Sequence, residues 1–174
     1  MAILDINDLF SFLQGWISNN GEKVWTIWLQ KGGWEGWAQV EIMSAMTGNN
    51  ISVQREMAIY TDPKKAVDFI VNFQSPDVKK QICLELKCES LFQSSQDGRV
   101  HSDNKIWEKV ANDLAKLYNE RTPYYKETQA LAAAIVFSPQ AYEALQSRLG
   151  LILVKIDLGQ DRFLALGAKK IDCL

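Results

Sequence analysis

Alternating apolar and polar positions predict three neighbouring strands in the first half of the chain. Every second side chain is apolar in residues 66–73, which is the period of a strand with one buried face. Residues 81–88 are apolar except for Gln81, Glu85 and Lys87, which is apolar enough for a buried strand. Residues 51–60 precede both and also favour a strand. The sequence therefore predicts a three-stranded meander.

Apolar residues at spacings of three and four predict helices on both sides of this meander. Helices are expected at residues 3–17, 34–46 and 103–120, the first ending at the Asn-Asn-Gly of residues 19–21. Residues 24–29 fit either a helix or a strand. The remaining elements are a strand at 131–137, a short helix from 138–139, and a hairpin of strands at 151–156 and 162–166.

This order of elements predicts the fold class. Helices before and after a meander, with a further strand reached through a helix, make a three-layer α/β fold in which helices flank a mixed central β-sheet. We expect one domain over residues 1–174, because no linker or internal repeat interrupts the chain.

Two charged residues interrupt the apolar strand at 81–88. Glu85 and Lys87 are two positions apart, so both side chains point to the same face of the strand. Charges that are half-buried destabilise a fold by several kcal/mol unless they are paired or bound. Asp68 is a lone acid in the strand at 66–73, and it places a second carboxylate nearby. The alternative is a solvent-facing ion pair on a half-exposed strand.

The turn at residues 74–79 sets how these two strands pair. If its midpoint falls between Pro76 and Asp77, the numbers of facing residues sum to 153, and Asp68 faces Glu85. Directly opposed side chains have Cβ atoms about 5 Å apart. Two carboxylates at that separation suit a shared divalent cation.

This arrangement resembles the PD-(D/E)XK nuclease superfamily, with its restriction-endonuclease-like core of helix, three-stranded meander, helix and strand. The resemblance covers roughly residues 34–137. It implies that Asp68 and Glu85 bind Mg²⁺ or Mn²⁺, and that Lys87 orients the attacking water or stabilises developing charge. It also implies that Glu41, in the helix predicted at 34–46, acts through water. The alternative for Glu41 is an ordinary residue of the helix surface.

The literal Pro-Asp of the family motif occurs at residues 76–77, but it is not assigned to the site. It lies at the tip of the turn, about eight residues and roughly 26 Å of extended strand from Glu85.

Charge bears on the partner that this site would act on. The formal net charge of −2 counts against binding nucleic acid through bulk charge. However, Lys105, Lys109 and Lys116 recur on one side of the helix predicted at 103–120, where they could contact phosphates. The resemblance implies a nucleic-acid partner, DNA in the first place, with the choice between DNA and RNA left open. The alternative is a solvated helix face, because acidic residues lie between these lysines.

Composition excludes several other classes of protein. With 47% hydrophobic and 10% aromatic residues, the chain is not disordered. The single histidine, His101, excludes multi-histidine metal sites, and the three cysteines have no metal-binding spacing. No apolar run approaches bilayer length and no signal peptide is evident, so we expect a cytoplasmic protein without membrane contact. Whether it forms a homodimer stays open.

Two functions follow from these patterns. The first is a Mg²⁺-dependent phosphodiesterase, in particular a DNA endonuclease, in which the polar loop at 88–102 lies beside the site. The second is a catalytically silent domain of the same fold that serves as an inhibitor or assembly partner.

Overall fold

The computed structural model describes residues 2–30, 33–92 and 105–171. His101, Cys173 and residues 93–102 of the predicted polar loop lie outside these ranges. The described helices are α1 (Ile6–Trp28), α2 (Glu35–Gly48), α3 (Ile106–Asn119), α4 (Pro123–Lys126) and α5 (Pro139–Leu149), with a 3₁₀ turn at Val78–Lys80. The described strands are β1 (Val53–Met57), β2 (Val67–Val71), β3 (Ile82–Cys88), β4 (Gln129–Val136), β5 (Ile152–Gly159) and β6 (Arg162–Ile171).

The six strands form one mixed sheet in the order β1-β2-β3-β4-β6-β5. Strands β3 and β4 are parallel, and every other neighbouring pair is antiparallel. A parallel pair needs a crossover, and α3 supplies it between β3 and β4. The predicted three-layer α/β fold with a mixed sheet is therefore confirmed.

The two faces of the sheet carry different helices. Helices α1 and α2 cover one face, where the apolar side chains of Phe69, Leu84 and Leu86 join the largest hydrophobic cluster. Helices α3 and α5 cover the other face. Because side chains alternate along a strand, the odd-numbered residues of β3 point toward α3. None of the helices in the described ranges has both the length and the apolar character needed to cross a bilayer.

The predicted register of the β2–β3 hairpin is confirmed. Phe69 pairs with Leu84 and Val71 with Ile82, so the residue numbers of each pair sum to 153. Asn72 closes the hairpin: its backbone adopts a φ of 58°, and its Nδ2 donates to the carbonyl oxygen of Lys80 at 2.6 Å. The Asn72 side chain is fully buried, and this hydrogen bond links the end of β2 to Lys80, two residues before β3 begins.

Helix α1 is longer than the sequence predicts. It continues past the Asn-Asn-Gly of residues 19–21 to Trp28, so that most of the ambiguous segment at 24–29 is helical. Asn20 does not end the helix, because its Nδ2 donates to the carbonyl oxygen of Trp16 at 2.8 Å. A Cβ atom at Gly21 would lie 2.8 Å from Cδ2 of Leu158. Gly21 therefore allows α1 to approach the sheet closely rather than ending the helix.

Candidate active site

Strands β2 and β3 bring Asp68, Glu85 and Lys87 together on the α3 face of the sheet. Asp68 Oδ2 accepts a hydrogen bond from the backbone N–H of Leu86 at 2.7 Å, which fixes the carboxylate against β3. The same oxygen lies 3.8 Å from Lys87 Nζ. Continuing the observed register by one residue places Asp68 opposite Glu85. The structure thus places these three residues where the strand pattern indicates.

Helix α3 adds two charged residues to this cluster. Lys116 Nζ lies 3.1 Å from Glu85 Oε1 and 2.6 Å from Asp113 Oδ1. The other carboxylate oxygen of Asp113 lies 3.4 Å from Lys87 Nζ, yet it is buried and forms no hydrogen bond within the described part of the chain. Asp113 was missed by the sequence analysis. Its signal is that it shares the inward spacing of Ile106, Val110 and Leu117.

Helix α2 contributes Glu35 rather than Glu41. Glu35 Oε1 accepts from Lys87 Nζ at 3.1 Å, and Oε2 accepts from the backbone N–H of Cys88 at 3.0 Å. Glu41 instead forms an ion pair with Lys23 at 2.9 Å on the protein surface. The expectation that Glu41 joins the site is therefore wrong. Six residues along a helix turn the side chain through about 240°, away from the side that Glu35 occupies.

The three lysines predicted to contact nucleic acid divide into two groups. Lys116 points into the site, as described above. Lys105 lies 3.9 Å from Glu108 Oε1 with 64% of its side chain exposed, and Lys109 is also exposed. Both lie nearer the start of α3, about 16 and 10 Å along the helix axis from Lys116.

Tyr60 completes the surroundings of Glu85. Its hydroxyl donates a hydrogen bond to Glu85 Oε1, and its ring centroid lies 5.6 Å from Lys116 Nζ. Tyr60 follows β1 and forms an isolated bridge with Arg121, which holds it beside the end of α3. The sequence analysis placed Tyr60 at the end of a strand and gave it no role.

The cluster contains more negative than positive groups. Four carboxyl groups (Glu35, Asp68, Glu85 and Asp113) surround the ammonium groups of Lys87 and Lys116. Burial raises the pKa of Glu85 to about 8, with further increases from the charges of Asp68 and Asp113. The hydrogen bond from Tyr60 and the charge of Lys116 lower this pKa but do not offset burial. Glu85 is therefore mostly protonated at neutral pH.

Lys87 and Tyr60 keep their protons for different reasons. Burial lowers the pKa of Lys87, but the carboxylates of Asp68, Glu35 and Asp113 outweigh it and raise that pKa above its ordinary value. Burial, followed by the charge of Glu85, raises the pKa of Tyr60. Lys87 is thus a permanent cation and Tyr60 a permanent hydrogen-bond donor at neutral pH.

The donor set suits a hard divalent cation. Carboxylate oxygens are the ligands that Mg²⁺ prefers, and Asp113 Oδ2 is a buried oxygen without a hydrogen-bond donor. Within the described ranges, no group of three or more His, Cys, Asp or Glu side chains is arranged so that it could hold a metal ion. Mg²⁺ commonly binds one or two carboxylates and completes its shell with water and substrate phosphate. The pair of Asp68 and Glu85 fits that mode.

The other candidate residues lie outside the site or in the core. Asp77 is exposed in the turn, where its Oδ1 accepts from the backbone N–H of Lys79 at 3.1 Å. Cys83 and Cys88 are buried free thiols. Burial raises the pKa of both thiols, to about 11 for Cys83, so neither is a reactive thiolate at neutral pH.

No protein-family model matches the chain, and no curated protein or solved structure is significantly similar to it. The assignment of a function therefore rests on the geometry described above.

Proposed function

We propose that this protein is a divalent-metal-dependent phosphodiesterase, and specifically an endonuclease acting on DNA. The observation that carries the proposal is the grouping of Asp68, Glu85 and Lys87 on paired strands, with Lys87 Nζ 3.8 Å from Asp68 Oδ2. This is the grouping expected from the resemblance to PD-(D/E)XK nucleases.

Asp68 and Glu85 would hold Mg²⁺ or Mn²⁺ in this proposal. When bound, the cation supplies positive charge against the scissile phosphate and lowers the pKa of a bound water. Asp68 is already oriented, because the N–H of Leu86 fixes one oxygen and no described residue donates a hydrogen bond to the other. Glu85 binds the cation as a carboxylate, so binding would release the proton that it carries at neutral pH.

Lys87 acts as a fixed positive charge rather than as a proton acceptor. Its raised pKa keeps the ammonium group protonated, which excludes a role as general base at neutral pH. Glu35 and Asp113 hold its Nζ at 3.1 and 3.4 Å. An ammonium group held this firmly suits the orientation of a water molecule and the stabilisation of charge on a phosphate oxygen.

Substrate contact in this proposal comes from a local set of lysines, since the net charge of the chain is −2. Lys105 and Lys109 are exposed on α3, the helix that also carries Asp113 and Lys116 into the site. Few phosphate contacts predict weak binding with a shallow dependence on salt concentration.

A cleavage assay tests the proposal. The purified protein should cut supercoiled plasmid or single-stranded DNA with Mg²⁺ or Mn²⁺ and lose this activity in EDTA. Glu85→Gln should reduce the rate by about 10³-fold or more, the order of loss expected when a metal ligand is removed. Asp77→Asn, which changes an exposed turn acid, is the matched control and should keep full activity. Equal cleavage by Glu85→Gln would indicate a contaminating nuclease.

A second candidate is the silent domain that serves as an inhibitor or assembly partner. The observation in its favour is that Lys87 and Lys116 already form ion pairs with the carboxylates. A site neutralised within the chain has less need of a cation. A folded protein that neither binds Mn²⁺ in calorimetric titration nor cleaves DNA would favour this function over the first.

A further inference from the structure

The two lysines of the cluster are held differently. Lys87 contacts Glu35, Asp113 and Asp68 within 4 Å and also donates to the carbonyl oxygen of Leu86 at 3.3 Å. Lys116 contacts only Glu85 and Asp113 among the described carboxylates. Lys87 Nζ thus has four neighbouring oxygen-bearing groups within 4 Å, and Lys116 Nζ has two carboxylates.

The position of Lys116 also allows its ammonium group to leave. Its side chain is 23% exposed, against 19% for Lys87, and it extends from a helix, whereas Lys87 extends from a central strand of the sheet. A lysine side chain has a flexible four-carbon stem and a strongly hydrated head, so it can move into solvent without disturbing the backbone. Lys116 is therefore the exchangeable cation of the cluster.

Movement of Lys116 into solvent would change the surroundings of Asp113 most. Its Oδ2 is buried and forms no hydrogen bond in the described part of the chain, and its Oδ1 is held by Lys116 at 2.6 Å. A buried carboxylate oxygen without a donor is costly, and a divalent cation offsets that cost. If Lys116 left, Asp113 Oδ1 and one bond to Glu85 Oε1 would become available, beside Asp113 Oδ2, whose neighbouring cation is Lys87 Nζ at 3.4 Å.

We infer that a divalent cation enters this site in exchange for the Lys116 ammonium group, with Asp113 as a third carboxylate ligand beside Asp68 and Glu85. The inference rests on the proposed metal site. A doubly charged ion then replaces a singly charged one among four carboxyl groups. Lys116 holds the site together until the metal binds.

Calorimetric titration with Mn²⁺, on the full chain in the absence of DNA, tests the exchange. Lys116→Met removes the competing charge and keeps most of the side-chain volume, so Mn²⁺ should bind about 10-fold more tightly or better. Lys116→Arg keeps the positive charge and should bind no more tightly than wild type. Lys109→Met, an exposed lysine two turns earlier on α3, should leave the affinity unchanged.

A second titration with Mn²⁺ uses the variant Asp113→Asn. This substitution should weaken Mn²⁺ binding about 10-fold or more, because it removes a charged ligand at nearly constant shape. The rise in melting temperature that Mn²⁺ produces should follow the same order, with Lys116→Met above wild type and Asp113→Asn below it. If Lys116→Met does not fold, Lys116→Gln gives the same comparison.

The exchange is overturned if Lys116→Met and Lys116→Gln bind Mn²⁺ no more tightly than wild type, if Asp113→Asn binds it equally well, or if no variant binds it. These results differ from failure of the proposed function. Mg²⁺-dependent cleavage without any change of affinity in Lys116→Met would overturn the exchange alone. Tighter binding in Lys116→Met without cleavage of any DNA would support the exchange and overturn the phosphodiesterase.

Discussion

Two buried glutamates, Glu85 within β3 and Glu89 directly after it, are held by different kinds of partner. Glu89 is 3% exposed, and its Oε2 accepts from the backbone N–H groups of Phe137 at 2.6 Å and Ser138 at 3.0 Å. Glu85 is 2% exposed and lies among the ionisable side chains of Asp68, Asp113 and Lys116. Backbone donors satisfy a carboxylate permanently, whereas movable side chains allow it to exchange partners. Glu89 therefore links the end of β3 to β4 and α5 through backbone groups, whereas Glu85 is held by side chains that can change partner.

The largest expected effect concerns the pH dependence of Glu85. Its pKa is about 8 in the folded protein against an ordinary value of 4.5, so the folded state binds more protons between these values. Raising the pH through this window therefore destabilises the fold, by up to about 4 kcal/mol at pH 8 and above. We expect urea denaturation in EDTA to show this fall in wild type and a much flatter profile in Glu85→Gln. Parallel profiles would show that Glu85 titrates normally.

Substitution of Glu89 should have the next largest effect on the free energy of unfolding, measured at pH 7. Glu89→Ala removes the acceptor of two backbone N–H groups at the start of α5, which should lower the free energy of unfolding by about 3 kcal/mol. Glu89→Gln keeps an acceptor oxygen and should lower it by about 1 kcal/mol. Urea denaturation at pH 7 measures both. A loss below about 0.5 kcal/mol in Glu89→Ala would remove the distinction between the two glutamates.

A smaller effect separates Asp68 from Asp77, the acid of the literal Pro-Asp. Asp68→Ala should abolish cleavage and lower metal-free stability by about 1 kcal/mol, because the loss of the acceptor of the Leu86 N–H outweighs the relieved repulsion of Glu85. Asp77→Ala should lower stability by a few tenths of a kcal/mol and leave cleavage intact, since Asp77 is exposed in the turn. Melting curves in EDTA and plasmid cleavage check both. An inactive Asp77→Ala beside an active Asp68→Ala would reverse the assignment.

The parts of the site that the sequence predicts are those governed by local periodicity. The alternation of side chains along β2 and β3, together with the length of the turn, is sufficient to place Asp68 opposite Glu85 and Lys87 on the same face. The strand and helix types were predictable for the same reason. The boundaries of these elements were less predictable, since the strand predicted at 51–60 is only Val53–Met57 in the structure.

The parts that were missed depend on packing between distant segments. Glu35 meets Lys87 across 52 residues, and nothing in the local pattern distinguishes it from Glu41. Tyr60 reaches Glu85 because the segment after β1 bridges to Arg121. Asp113 was predictable in principle, since an acid at an inward helix position follows the same reasoning that identified Glu85 in its strand.

The separations along the chain also set an order in which the charges meet during folding. The Asp68 carboxylate and the N–H of Leu86 are 18 residues apart, whereas Lys116 and Glu85 are 31 residues apart and joined only after the β3–α3 connection closes. Shorter loops close first, so the hairpin brings its two acids together before α3 delivers the lysine. The early hairpin therefore brings its two acids together without Lys116, which partly offsets their repulsion in the native protein, and its formation depends on the apolar residues that surround the acids.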